Sequence, residues 1–90
     1  MAWTIEIDSA AIKDLKKLAK TEQKKLLNAI HRLAALPTPR SYGKPLKGQF
    51  GGLWRYRMGN YRIICKIEDS ILLILVIAIG HRKNIYKARH

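Results

Sequence analysis

Hydrophobic and polar positions along the chain follow two different periods, and each change of period marks an element. Residues 2–7, AWTIEI, alternate and are rich in β-formers, predicting a strand with Trp3, Ile5 and Ile7 on one face. Beyond them Ala11, Ile12, Leu15, Leu18 and Ala19 recur at helical spacing, with Lys13, Lys16, Lys17 and Lys20 opposite. Asp8 or Ser9 can cap this helix, and Thr21 a second one. In the second, Leu26, Leu27, Ile30, Leu33 and Ala34 form the apolar stripe, and Lys24, Lys25 and Arg32 the polar one. His31 lies beside the stripe and reads as structural, and Leu36-Pro37 ends the helix.

Residues 37–52, PTPRSYGKPLKGQFGG, hold all three prolines and four of the six glycines, which predicts a long loop of the kind that carries function. Arg40, Lys44 and Lys47 charge it, while Leu46 and Phe50 are placed to tack it to the core. Alternation then returns in two runs flanking Gly59-Asn60, and a two-residue loop with glycine first suits a type II′ hairpin turn. That turn sets a register in which Met58 faces Tyr61, Arg57 faces Arg62, Tyr56 faces Ile63, Arg55 faces Ile64 and Trp54 faces Cys65. The run ILLILVIAI at 71–79 is apolar without alternation and predicts a strand buried on both faces, returning antiparallel to 61–68 through Asp69-Ser70. The order is strand, helix, helix, loop, then three strands.

The predicted register sorts the hairpin into a core face, Trp54, Tyr56, Met58, Tyr61, Ile63, Cys65 and Ile67, and a second face carrying Leu53, Arg55, Arg57, Arg62, Ile64 and Lys66. Like charges directly opposed across a strand pair are destabilising, so Arg57 opposite Arg62, with Arg55 two residues away, calls for an anionic ligand. The end of the last strand returns beside Tyr61 and Arg62. Connectivity thus brings His81, Arg82, Lys83 and Tyr86 toward the three arginines.

Composition narrows the ligand. Ninety residues, 1–90, make a single domain, and 18 Lys and Arg against 6 Asp and Glu give a formal charge of +12. The basic residues are spread over helix, loop and sheet, not gathered in one stripe beside an apolar face, which favours nucleic acid over a membrane surface. The run at 71–79 is too short to span a bilayer, which takes roughly 20 apolar residues. Cys65, the one cysteine, falls on the core face, so no disulfide forms within the chain. That usage and the absence of a signal-peptide pattern at the start point to the cytoplasm.

The element order, with KPLKG at 44–48, LWRYRMGNYRII at 53–64 and GHRKNIY at 80–86, resembles the RelE/ParE superfamily of bacterial toxins from type II toxin-antitoxin modules, over nearly the whole chain. The resemblance implies an α+β fold: a small, mainly antiparallel four-stranded sheet with the N-terminal helical hairpin on one face. It also implies a cognate antitoxin as partner. The RelE-like branch cleaves messenger RNA in the ribosomal A site and so inhibits translation, whereas the ParE-like branch poisons DNA gyrase. Arg82 and Tyr86 belong to the RelE-like pattern, implying a ribosome-dependent mRNA endoribonuclease. Arg62 matches the family's strand arginine at the phosphate. Arg55 and Arg57 stand where RelE itself has lysines, a departure that matters because an arginine is a poor general base. The alternatives are a gyrase poison and a non-catalytic nucleic-acid or antitoxin-binding module.

The chemistry can be argued from the residues as well. RNA cleavage by its own 2′-oxygen needs a base for the 2′-proton, cations around the pentacoordinate phosphate and an acid for the departing 5′-oxygen. The six carboxylates all lie outside the basic segments, so a route without metal or small-molecule cofactor is expected. Arg57, Arg62 and Arg82 are assigned to phosphate charge, Tyr86 to stacking on a base, and His81 to proton transfer, histidine being the side chain that ordinarily titrates near neutrality. Lys44, Lys47, Arg55 and Lys83 are assigned to nucleic-acid contacts.

Overall fold

The computed structural model describes residues 3–81. Strand β1 (Thr4–Ile7) leads into helices α1 (Ser9–Lys16) and α2 (Lys20–Ala34). The long loop follows, and it contains a two-residue strand, β2 (Lys44–Pro45), between two short 3-10 turns. Strands β3 (Trp54–Met58), β4 (Tyr61–Glu68) and β5 (Leu73–His81) complete a five-stranded sheet of order β1-β5-β4-β3-β2. The four strands expected from the sequence are present. The fifth, β2, was hidden in the loop because Pro45 interrupts any strand pattern.

The pairing of β3 with β4 follows the expected register residue for residue, from Trp54 opposite Cys65 to Met58 opposite Tyr61. Gly59 takes φ +63°, and Leu72 is the only non-glycine with positive φ among the described residues, so Asn60 keeps a negative φ as a II′ turn demands. β4 and β5 are antiparallel, whereas β1 joins β5 in parallel, with Ile5 beside Ile74 and Ile7 beside Val76.

Both helices cover one face of this sheet. Ala11 and Leu15 of α1 and Leu26, Ile30 and Leu33 of α2 meet Tyr56, Ile63, Cys65, Ile74, Val76 and Ile79, with Trp54, Met58 and Tyr61 at the margin. Ile30, Ile63 and Ile74 are fully buried; each such side chain stabilises the fold by about 1.5–3 kcal/mol. Asp8 caps α1 through its carboxylate, which accepts from the Ala10 N–H at 3.3 Å. α2 starts two residues earlier than expected, at Lys20, and Ala19, with no side-chain cap, precedes it in place of Thr21. The Gln23 side-chain amide donates instead to the Leu18 carbonyl at 2.8 Å, closing the junction between the helices. His31, expected beside the core, is exposed.

The last strand differs from expectation in a way that matters for the site. Opposite Ile64 stands Ala78, but opposite Cys65 stands Val76, so Ile77 is an extra residue bulged out of β5. The bulge shifts the alternation by one: Ile74 and Val76 face the helices before it and Ile79 after it. Ile77 and Ala78 join Ile64, Leu46 and Leu53 in a smaller apolar cluster on the other face. The run is therefore not buried on both faces throughout, since Leu73 and Leu75 are only half-buried. Past the end of β1, α1 takes over edge protection, with the Asp14 carboxylate accepting from the Ile79 N–H at 3.2 Å.

Candidate functional site

The face of the sheet away from the helices carries the charge. Cross-strand partners share a face, so the register builds two rows. One runs Lys44, Arg55, Ile64, Ala78 across β2, β3, β4 and β5, and the next runs Arg57, Arg62, Gly80. Gly80 ends the second row without a side chain and leaves the sheet open beside Arg62. The Ile64 and Ala78 cluster floors the first row with apolar surface, which strengthens electrostatic attraction to any anion held there.

Arg62 is half-buried, and its Nε is buried without a hydrogen-bond partner among the described residues. Leaving a charged donor unsatisfied costs about 1–3 kcal/mol or more, and an anion's oxygen is the natural acceptor. Arg57 is exposed directly opposite. Tyr42, Lys44, Arg55 and Arg57 line a small open cleft of about 110 Å³.

The loop reaches this cleft because it is fastened at several points. The buried Tyr56 hydroxyl donates to the Pro39 carbonyl at 2.8 Å, and the Arg40 guanidinium donates to both oxygens of Asp69 at 2.7 Å. Arg40 also lies over the Trp54 ring, 5.6 Å from its centroid. Gly43 is required here, since a Cβ would come within 2.9 Å of the Tyr56 ring. The Asp69 hydrogen bond raises the Arg40 pKa, and Arg40 in turn holds the Asp69 carboxyl below its ordinary range. Burial pushes the Tyr56 hydroxyl up to about 12, so it stays a donor at physiological pH.

Four of the six carboxylates are engaged. Glu68 meets Lys66 at 3.1 Å and Asp69 meets Arg40, while Asp8 and Asp14 serve backbone N–H groups on the helix side. Among the described residues there is no group of three or more His, Cys, Asp and Glu side chains able to hold a metal ion.

Not every expected site residue joins the arginines. Lys44, Arg55, Arg57 and Arg62 do. Lys47 is exposed further along the loop and does not line the cleft. His81 is a correction to the expected juxtaposition: it pairs with Tyr61, a helix-face residue, and so shares that face. Its ring packs edge-on to Tyr61 with centroids 6.0 Å apart, in a cleft of about 490 Å³ that also touches Glu22 and Lys25 of α2. The sheet thus separates His81 from the three arginines. Arg82, Lys83 and Tyr86 lie outside the described residues. Tyr42 is the cleft residue that sequence reasoning missed, although its place two residues before Lys44 in a basic, glycine-rich loop was a usable signal.

Comparison with known proteins agrees with this architecture. The family model described as ParE toxin of type II toxin-antitoxin system, parDE, matches residues 5–86. Toxin RelG of Mycobacterium tuberculosis is 29% identical over 90 residues, covering 97% of this chain and 99% of that protein. Putative toxin RelE1 of Methanocaldococcus jannaschii is 30% identical over 89 residues, covering 97% and 98%. Among solved structures, a chain of the toxin-antitoxin complex RelBE2 from M. tuberculosis superimposes with TM-score 0.84 at 25% identity, covering 91% of this chain and 93% of that one. The intact E. coli RelBE toxin-antitoxin complex shares the fold, with TM-score 0.70 at 21% identity over 89% of this chain and 96% of that one. Among the described residues no helix is long and apolar enough to cross a membrane. The chain belongs to the ParE toxin family of type II toxin-antitoxin systems, within the RelE/ParE superfamily.

Proposed function

We propose that this toxin is a ribosome-dependent mRNA endoribonuclease that cuts by attack of the RNA's own 2′-oxygen, and that a cognate antitoxin restrains it. The observation that carries the reading is the opposed pair Arg57 and Arg62 on the open sheet face, with Arg55 and Lys44 in the next row and the Arg62 Nε lacking an acceptor among the described residues. Such a cluster suits a phosphate that gains negative charge during reaction. The 2′-oxygen bonds to phosphorus as the bond to the 5′-oxygen breaks, leaving a 2′,3′-cyclic phosphate and a free 5′-hydroxyl. Arg57 and Arg62 hold the non-bridging oxygens, Arg82 adds charge, and Tyr86 stacks on a base. His81 faces away from these arginines, so Tyr86, Lys83 or a ribosomal group is preferred for the proton transfers. The antitoxin reading draws on the complexes formed by structural relatives.

The test is toeprinting on translating ribosomes with purified protein. Codon-dependent cuts in translated RNA are expected, and Arg62→Ala should slow cleavage by about 10² to 10³. His81→Ala should leave the pH-rate profile unchanged; an altered profile would restore it as the acid or base. Cleaved gyrase–DNA complexes without RNA cuts would replace this reading with the gyrase poison that the ParE family match also allows.

A further inference from the structure

We infer that Tyr42 is a base-stacking platform, and that the cleft it forms with Lys44, Arg55 and Arg57 seats a nucleotide of single-stranded RNA next to the phosphate held at Arg62. The inference rests on the ribonuclease reading and adds to it a residue and a subsite.

Three large apolar side chains are exposed among the described residues, Ile12, Tyr42 and Ile71. Tyr42, 67% exposed, is the one that lines the basic cleft. A ring so exposed fills no core, and its backbone position at the end of a 3-10 turn makes no demand for an aromatic. The turn itself is held firmly. The Tyr56 hydroxyl grips Pro39, Arg40 is clamped to Asp69, and the Gly43 N–H donates to the Arg40 carbonyl at 3.1 Å. The ring is thus presented from a fixed base, which lowers the ordering cost of a ligand that stacks on it.

The cations around it are suited to a backbone. Lys44 and Arg55 are cross-strand partners, and Arg57 follows Arg55 on the same face, so the ring is bordered by phosphate-binding groups. Two strand spacings, roughly 10 Å, separate β2 from β4. A strand of RNA laid across the sheet from Arg62 toward β2 therefore carries a neighbouring base to Tyr42. Aromatic rings beside cationic grooves are the general device for holding single strands, because every base offers a π-face.

The probe is a short single-stranded RNA, blocked against cleavage by 2′-O-methyl groups and carrying one 2-aminopurine, whose fluorescence falls on stacking. Tyr42→Leu should weaken its binding about 5- to 150-fold and abolish the quenching, Tyr42→Phe should retain both, and thermal unfolding should be unchanged in each. An RNA abasic at the stacked position should bind wild type and Tyr42→Leu alike. Tyr42→Leu binding like wild type, while Arg55→Gln and Arg57→Gln bind weakly, would overturn the platform and leave the RNA reading intact. The same loss on the abasic RNA, or a larger loss on an Asp- and Glu-rich peptide, would overturn it by making the ring a packing element or a protein contact. Failure of the wild-type protein both to bind this RNA and to cut ribosomal messenger would bring down the ribonuclease reading and the platform together.

Discussion

If Arg57 and Arg62 are kept opposite each other for a ligand, removing one charge should make the free protein more stable. The two are direct cross-strand partners, Arg57 is exposed, and the ion pairs among the described residues engage Arg40 and Lys66 instead. Like charges so placed cost roughly 0.2–1 kcal/mol. For a domain of this size 1 kcal/mol moves Tm by about 4–8 °C, so Arg57→Gln should raise Tm by about 1–8 °C at low salt. Arg57→Lys, which keeps the charge, should give no such gain. Adding Arg62→Gln to Arg57→Gln should bring no further relief of repulsion, which has already gone, so any added gain reports the Arg62 Nε that is buried without an acceptor among the described residues. The gain should shrink as salt rises and the Debye length falls to about 3 Å near 1 M. The same substitution should weaken RNA binding and lower the salt slope of log K by about 0.7, one phosphate contact on a single strand. Scanning calorimetry at low and high salt, with binding titrations alongside, reads both effects. A Tm for Arg57→Gln that is unchanged or lower at low salt, in a protein of native circular dichroism, would falsify the argument that the pair is strained.

Three further outcomes follow from particular contacts. Tyr56→Phe should cost about 1–3 kcal/mol in urea unfolding, because it leaves the buried Pro39 carbonyl without its donor, and it should also weaken RNA binding by loosening the loop that carries Lys44. Asp69→Asn should lower Tm at neutral pH. Because the Arg40 hydrogen bond depresses the folded Asp69 pKa, the pair's contribution is complete above the ordinary carboxylate range and is lost as pH falls through the folded pKa, so wild type and variant should converge in acid; parallel curves down to strong acid would contradict this. Burial pushes the Cys65 thiol up to about 12, so thiol reagents at neutral pH should label it only at the rate of unfolding, and labelling that outruns amide exchange in β4 would place it outside the core.

The parts of the fold that were legible in the sequence are those where two local signals coincide. Gly59-Asn60 sets the length of the turn and the flanking alternation sets the phase, and together they leave one register, the one observed. The N-terminal strand and a cap at Asp8 or Ser9 were legible for the same reason, as an alternating run meeting capping residues, and the structure places the cap at Asp8. β2 was not, because two residues of strand beside a proline carry no period, and their pairing is supplied by β3. The bulge at Ile77 was not legible either: in an unbroken apolar run every phase looks equally good, and only the second cluster around Ile64 shows which residue was extra.

His81 shows how sharply function depends on that phase. Connectivity correctly returns the end of β5 to the arginine strands, but proximity along a sheet does not choose a face. Gly80 stands opposite Arg62 and His81 opposite Tyr61, so a single step along the chain exchanges a place beside the arginine row for one beneath α2. Had the strand been one residue out of this register, a histidine and three arginines would have shared one surface, with an acid–base group at the phosphate. With the observed register the open face offers three guanidiniums, Lys44, the Tyr42 ring and an apolar floor at Ile64 and Ala78. If that face holds a phosphate, its three guanidiniums can neutralise charge but make poor general bases. Under the proposed ribonuclease function, cleavage should therefore remain sensitive to what the ribosome contributes: naked RNA of the same sequence should bind with the salt dependence of a polycation yet be cut far more slowly than messenger in the decoding site. Equal rates on the two substrates would mean that this chain carries its own base, and the search would return to Lys83, Tyr86 and His81.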